Sequence, residues 1–92
     1  MEIGFCDKKG NSLWSHAMKT PPRVGDEVEF SLEFSYQVHE INEAELTEEA
    51  KRTFRSYDGL WSVKKVSFKF NKYAWNKQPV YIWVTVEKKK EP

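Results

Sequence analysis

Two runs near the C-terminus combine the residue types that hold anionic ligands. Lys65, Ser67 and Lys69 alternate along one run, and Tyr81, Trp83 and Thr85 along the other. Lys72, Tyr73, Trp75 and Lys77 crowd the stretch between them. Lysine ammonium groups follow phosphates, and aromatic faces stack on planar rings for about 1–3 kcal/mol per base. If the two runs pair as strands, one outer face carries lysines beside two large aromatics. Such a face suits a protein partner or a second copy of the chain, a single-stranded nucleic acid or nucleotide, or plain packing beneath another layer.

Catalytic chemistry finds less support. It requires a nucleophile with a base, two poised carboxylates or a metal site. His16 and His39 are the only imidazoles, and neither stands at ligand spacing with Cys6 or with the other. Gly4, Gly10, Gly25 and Gly59 are isolated, so no glycine-rich phosphate loop is present. Glu27, Glu29 and Glu33 read as a solvated strand face, and Glu48 and Glu49 as a helix start. His39 reads as a surface residue, His16 as half-buried and Cys6 as a small core or edge residue. The sequence predicts no enzyme, no metal and no cofactor.

These side chains need elements to position them. Glu2 to Cys6 and Ser12 to Met18 read as a hairpin across the turn Asp7-Lys8-Lys9-Gly10-Asn11. Thr20-Pro21-Pro22 stops the pairing. Val28, Phe30, Leu32, Phe34, Tyr36 and Val38 then alternate with polar residues, which predicts one long bent strand or two strands split near Glu33 to Ser35. From Glu43 the period changes: Leu46, Ala50 and Phe54 mark one side of a helix over about 46–56, with Thr47 as N-cap. Asp58-Gly59 ends it. Trp61 and Val63 share one strand phase, whereas Val66, Phe68 and Phe70 share the next. A β-bulge at Lys64-Lys65 would turn all five inward. Residues 71–79 read as a loop, Val80, Ile82, Val84 and Val86 as the last inward face, and 88–92 as a frayed tail.

Ninety-two residues make one domain, here a mainly β one: a small antiparallel barrel or sandwich with one short inserted helix. A core this thin leans on its aromatics, 15% of the chain. One cysteine leaves the fold without an internal disulfide, and no apolar run approaches membrane-spanning length. The expected setting is the cytoplasm. The net charge of +1 hides an uneven division. Residues 1–50 hold four basic and eleven acidic groups, and residues 51–92 hold eleven and three. Surfaces of opposite sign, with many aromatics, predict a homodimer.

Pro22-Arg23-Val24-Gly25-Asp26-Glu27-Val28 resembles the P-x-x-G-D-x-V segment with which many small SH3-like barrels begin their first long strand. Tyr36 to Ile41, followed late by a strand such as Val80 to Val86, is similar to how such proteins of bacteria and their phages continue. The resemblance implies a family of RNA-binding, partner-binding and phage-encoded counter-defence proteins. The expected function is a small non-catalytic binding module that holds a macromolecular partner or a small anionic ligand. Its expected site is Lys65, Lys69, Lys72, Tyr73, Trp75, Lys77, Tyr81 and Trp83. The alternatives are a single-stranded nucleic-acid binder and a phage-type inhibitor or ligand sponge.

Overall fold

The computed structural model describes residues 2–70 and 79–90. Strands β1 (Glu2–Cys6) and β2 (Ser12–Ala17) form the N-terminal hairpin. Strand β3 (Glu27–Phe30) runs into helix α1 (Leu32–Gln37), and a 3-10 turn at Glu43–Glu45 precedes helix α2 (Glu48–Arg55). Strands β4 (Gly59–Phe70) and β5 (Pro79–Lys88) follow. The five strands make one sheet in the order β2-β1-β5-β4-β3, curled into a half-barrel. All pairs are antiparallel except β1 with β5, which run parallel. The expected antiparallel barrel or sandwich is thus a mainly β half-barrel with a parallel pair at its centre.

Ile3, Phe5, Trp14, Trp61, Val63, Ile82, Val84 and Val86 point into the concave side and are buried. Helix α2 supplies part of the cover. Phe54 and Tyr57 bring their rings within 6.2 Å of Phe30, and Tyr57 lies at 6.2 Å from Trp14. Thr47 caps this helix as expected: its Oγ1 accepts from the Ala50 N–H at 3.1 Å. Leu46 and Phe54 are half-buried against the core.

The long alternating run predicts one bent strand or two strands split near Glu33 to Ser35, and the structure corrects both. Only Glu27–Phe30 is extended, and Leu32–Gln37 is helix. Ser31 is the N-cap, its Oγ accepting from the Phe34 N–H at 3.3 Å. The Asp58 carboxylate accepts from the Leu32 N–H at 2.9 Å, so a distant segment satisfies another free donor of the first turn. Leu32 and Ser35 turn inward and Phe34 outward, 59% exposed. The helix ends in a Schellman motif. His39 takes φ 60°, its N–H donates to Tyr36 O, and the Glu40 N–H donates to Ser35 O.

The predicted bulge is present. Val63 pairs with Val86 and Lys65 with Thr85, which leaves Lys64 without an opposite residue. Trp61 and Val63 are buried, and Val66 is half-buried. Phe68, expected inside, is 49% exposed. Strand β3 covers β4 only as far as Ser62, so among the described residues the later part of β4 has no strand on its other side. The tail expected over 88–92 is paired at its start, and residues 91–92 lie outside the described residues. Lys88 pairs with Trp61, and the Lys89 N–H donates to Leu60 O at 2.9 Å.

Candidate binding face

Along β5 the side chains alternate between core and solvent. Ile82, Val84 and Val86 are 0–1% exposed, while Trp83 on the opposite face is 36% exposed and Tyr81 half-buried. The bulge at Lys64 decides what stands beside them. It reverses the phase of β4, so Lys65, Ser67 and Lys69 share the outer face. Lys65 lies opposite Thr85, Ser67 opposite Trp83 and Lys69 opposite Tyr81. Lys65 and Lys69 are exposed. Neither forms an ion pair among the described residues, unlike Lys8 with Glu87, Lys51 with Glu43 and Glu48, and Lys89 with Glu27. Glu2 is an exposed acid of the neighbouring β1.

Gly4 is the residue that sequence reasoning missed. It pairs with Trp83 across the parallel junction of β1 and β5. A Cβ at Gly4 would come within 2.7 Å of Trp83 Cζ3, 2.8 Å of Trp83 Cε3 and 2.8 Å of the Tyr81 hydroxyl. The two rings therefore lean over bare backbone, with centroids 4.8 Å apart. With Ser15 on β2 and Ser67 on β4, Gly4 and Trp83 complete one row across four strands in which Trp83 is the only large side chain. A glycine inside the pattern Ile3-Gly4-Phe5 was the available signal, because a mid-strand glycine marks a close approach.

The structure thus brings together Lys65, Lys69, Tyr81 and Trp83. The expected Lys72, Tyr73, Trp75 and Lys77 lie outside the described residues. Packing takes part of the aromatic surface, since both rings rest on the N-terminal hairpin. Lysines on an exposed edge also discourage pairing with another sheet. Neither effect accounts for Trp83, which keeps over a third of its surface in solvent although it stands on an inner strand.

A second concavity lies where the sheet fails to close, between β2 and β3. It has a volume of about 230 Å³, with Phe5, Trp14, Met18, Val28, Phe30 and Phe34 among its lining residues. Trp14 and Phe30 meet beneath it, centroids 4.7 Å apart, so rings rather than a hydrogen-bonded ladder bridge the gap. At its rim His16 Nδ1 lies 2.6 Å from Glu40 Oε1. This carboxylate is delivered by the left-handed turn at His39. Among the described residues no three His, Cys, Asp or Glu side chains gather as metal ligands. No helix among them is long and apolar enough to cross a membrane.

No family model, curated protein or solved structure matches the chain.

Proposed function

We propose that this chain is a non-catalytic binding module that holds an anionic partner on the outer face of β4 and β5. The observation that carries the reading is the pairing of Ser67 with Trp83 between two uncommitted lysines, Lys65 and Lys69. Trp83 offers an apolar ring face on a central strand, and Lys65 and Lys69, without an ion pair among the described residues, place positive charge beside it. Holding a ligand requires no further chemistry, so a sequestering role, as in an inhibitor or sponge, uses the same surface.

Retention on heparin at pH 8 tests this. The sequence pI is about 7.8, so the whole molecule is then near neutral and retention reports a local patch. The wild type is expected to elute at higher salt than the Lys65→Ser/Lys69→Ser variant. Equal elution overturns the reading. Light scattering on the same samples checks the competing use of the face. A mass of two chains that falls to one in a folded Trp83→Glu variant would make it a contact between copies.

A further inference from the structure

Anionic partners differ in chemistry, and the spacing along the face narrows the choice among them. Resting on that reading, we infer that the face binds single-stranded nucleic acid, with one base seated on Trp83 and the phosphates on either side of it at Lys65 and Lys69.

Three observations lead there. First, Trp83 stands at the middle of the lysine pair: Ser67 is its cross-strand partner, with Lys65 two residues to one side and Lys69 two to the other. At about 3.3 Å per residue the two lysines are roughly 13 Å apart along the strand. On their flexible four-carbon stems the two ammonium groups can stand on either side of the ring, one charge to each side. A planar group with negative charge on both sides fits, which describes a nucleotide within a strand. A mononucleotide has charge on one side only, and a sulfated sugar or polyphosphate has no planar ring. Second, the row through Trp83 is otherwise built from Ser15, Gly4 and Ser67, so a flat base meets no large neighbour along it. Third, Gly4 sets the height of the ring. Any side chain there would collide with Trp83 and Tyr81. The shelf is thus fixed from beneath while its upper side stays open. A duplex keeps its bases stacked on each other and does not offer one to this ring.

The experiment is fluorescence anisotropy with fluorescein-labelled dT12 at pH 8, competed by unlabelled dT12, a dT12·dA12 duplex or polyphosphate of matching charge. Two phosphates neutralised on a single strand give a salt slope near −1.4, so affinity should fall about sevenfold from 50 to 200 mM salt. Trp83→Ala should weaken binding about 5- to 150-fold with the slope unchanged, and Trp83→Phe should restore much of it. Lys65→Ser/Lys69→Ser should flatten the slope instead. Gly4→Ala should weaken dT12 binding in the wild type but add little in the Trp83→Ala background, because the two act through one ring. Circular dichroism confirms that each variant is folded. If Gly4→Ala does not fold, the Trp83→Ala and Trp83→Phe pair decides alone. Polyphosphate competing as well as dT12, or Trp83→Ala binding dT12 like the wild type, overturns the base-stacking inference and leaves the anionic face standing. Retention on heparin without dT12 binding does the same. Failure on both heparin and dT12 removes the face as well.

Discussion

Trp14 and Trp83 stand on opposite faces of one sheet and have opposite surroundings. Trp14 lies on the concave side, with Phe5 at 5.0 Å, Phe30 at 4.7 Å, Trp61 at 5.4 Å and Tyr57 at 6.2 Å between ring centroids. Helix α2 and the segment after it bring Phe54 and Tyr57 onto that cluster. Trp83 has one ring neighbour among the described residues, Tyr81, and a glycine beneath it. Residue type does not separate a core aromatic from a binding aromatic. What separates them is whether another element lies over the ring. On the inner face a helix does. On the outer face an absent side chain lets the ring settle onto the sheet, and its other side meets solvent.

That contrast is broken most forcefully from the inside. Phe30 is buried and touches both Trp14 and Phe54 across the open side of the half-barrel. Phe30→Ala should cost about 3–5 kcal/mol, a large share of what so small a domain has. Urea unfolding measures it, and a loss below about 1 kcal/mol would show that the ring bridge does not hold the two edges together. Trp83→Ala is the matched change outside. It should cost about 1–2 kcal/mol, because part of the ring already faces water. Equal losses for the two substitutions would erase the distinction between the faces.

Much of this division was legible in the sequence. The phase slip between Val63 and Val66 located the bulge, because alternation is strict and one extra residue reverses it. The alternation in β5 placed Tyr81 and Trp83 on one face and Ile82 and Val84 on the other. Helix α2 was legible from Thr47, the i, i+4 spacing and the charges at its two ends. Helix α1 was not. Leu32 and Tyr36 satisfy a period of two and a spacing of four equally well, and the deciding features were the Ser31 cap and the Asp58 carboxylate, 26 residues away. The exposure of Phe68 was hidden for a related reason: pattern shows which face a residue takes, not where the neighbouring strand stops. The site was half legible. Its four described residues could be named, while Gly4 could be connected to Trp83 only once β1 was known to lie parallel to β5.

The cover over the inner aromatics gives a smaller test. Thr47 Oγ1 accepts from the Ala50 N–H at the start of α2, and this helix carries Phe54 onto Phe30. Thr47→Ala should cost about 1 kcal/mol in urea unfolding, and Thr47→Ser should recover most of it. Binding at the outer face should be unchanged in both, since the helix packs on the other side. A Thr47→Ala variant that keeps its stability but loses anion binding would mean that the two faces are coupled.

The smallest effect belongs to the outer face and depends on pH. Glu87 follows Tyr81, Trp83 and Thr85 on that side of β5, and its Oε2 accepts from Lys8 Nζ at 2.7 Å. The pair ties the tip of the N-terminal hairpin to the end of β5. The hydrogen bond and charge of Lys8 hold the Glu87 carboxyl below its ordinary 4.5, and Lys64 and Lys90 pull the same way. A folded value below the unfolded one means that the unfolded chain binds the proton more readily. The contribution to stability is therefore full above about pH 4.5 and is lost as the pH falls through the folded midpoint. Carboxyl signals followed by NMR should give Glu87 a midpoint below 4.5, and Lys8→Ala should move it upward. The stability difference between wild type and Lys8→Ala should be small at pH 6, because both groups are exposed, and should vanish once Glu87 is protonated. A midpoint that ignores Lys8→Ala would detach the hairpin tip from the outer face and leave β1 joined to β5 by the parallel ladder and the rings over Gly4.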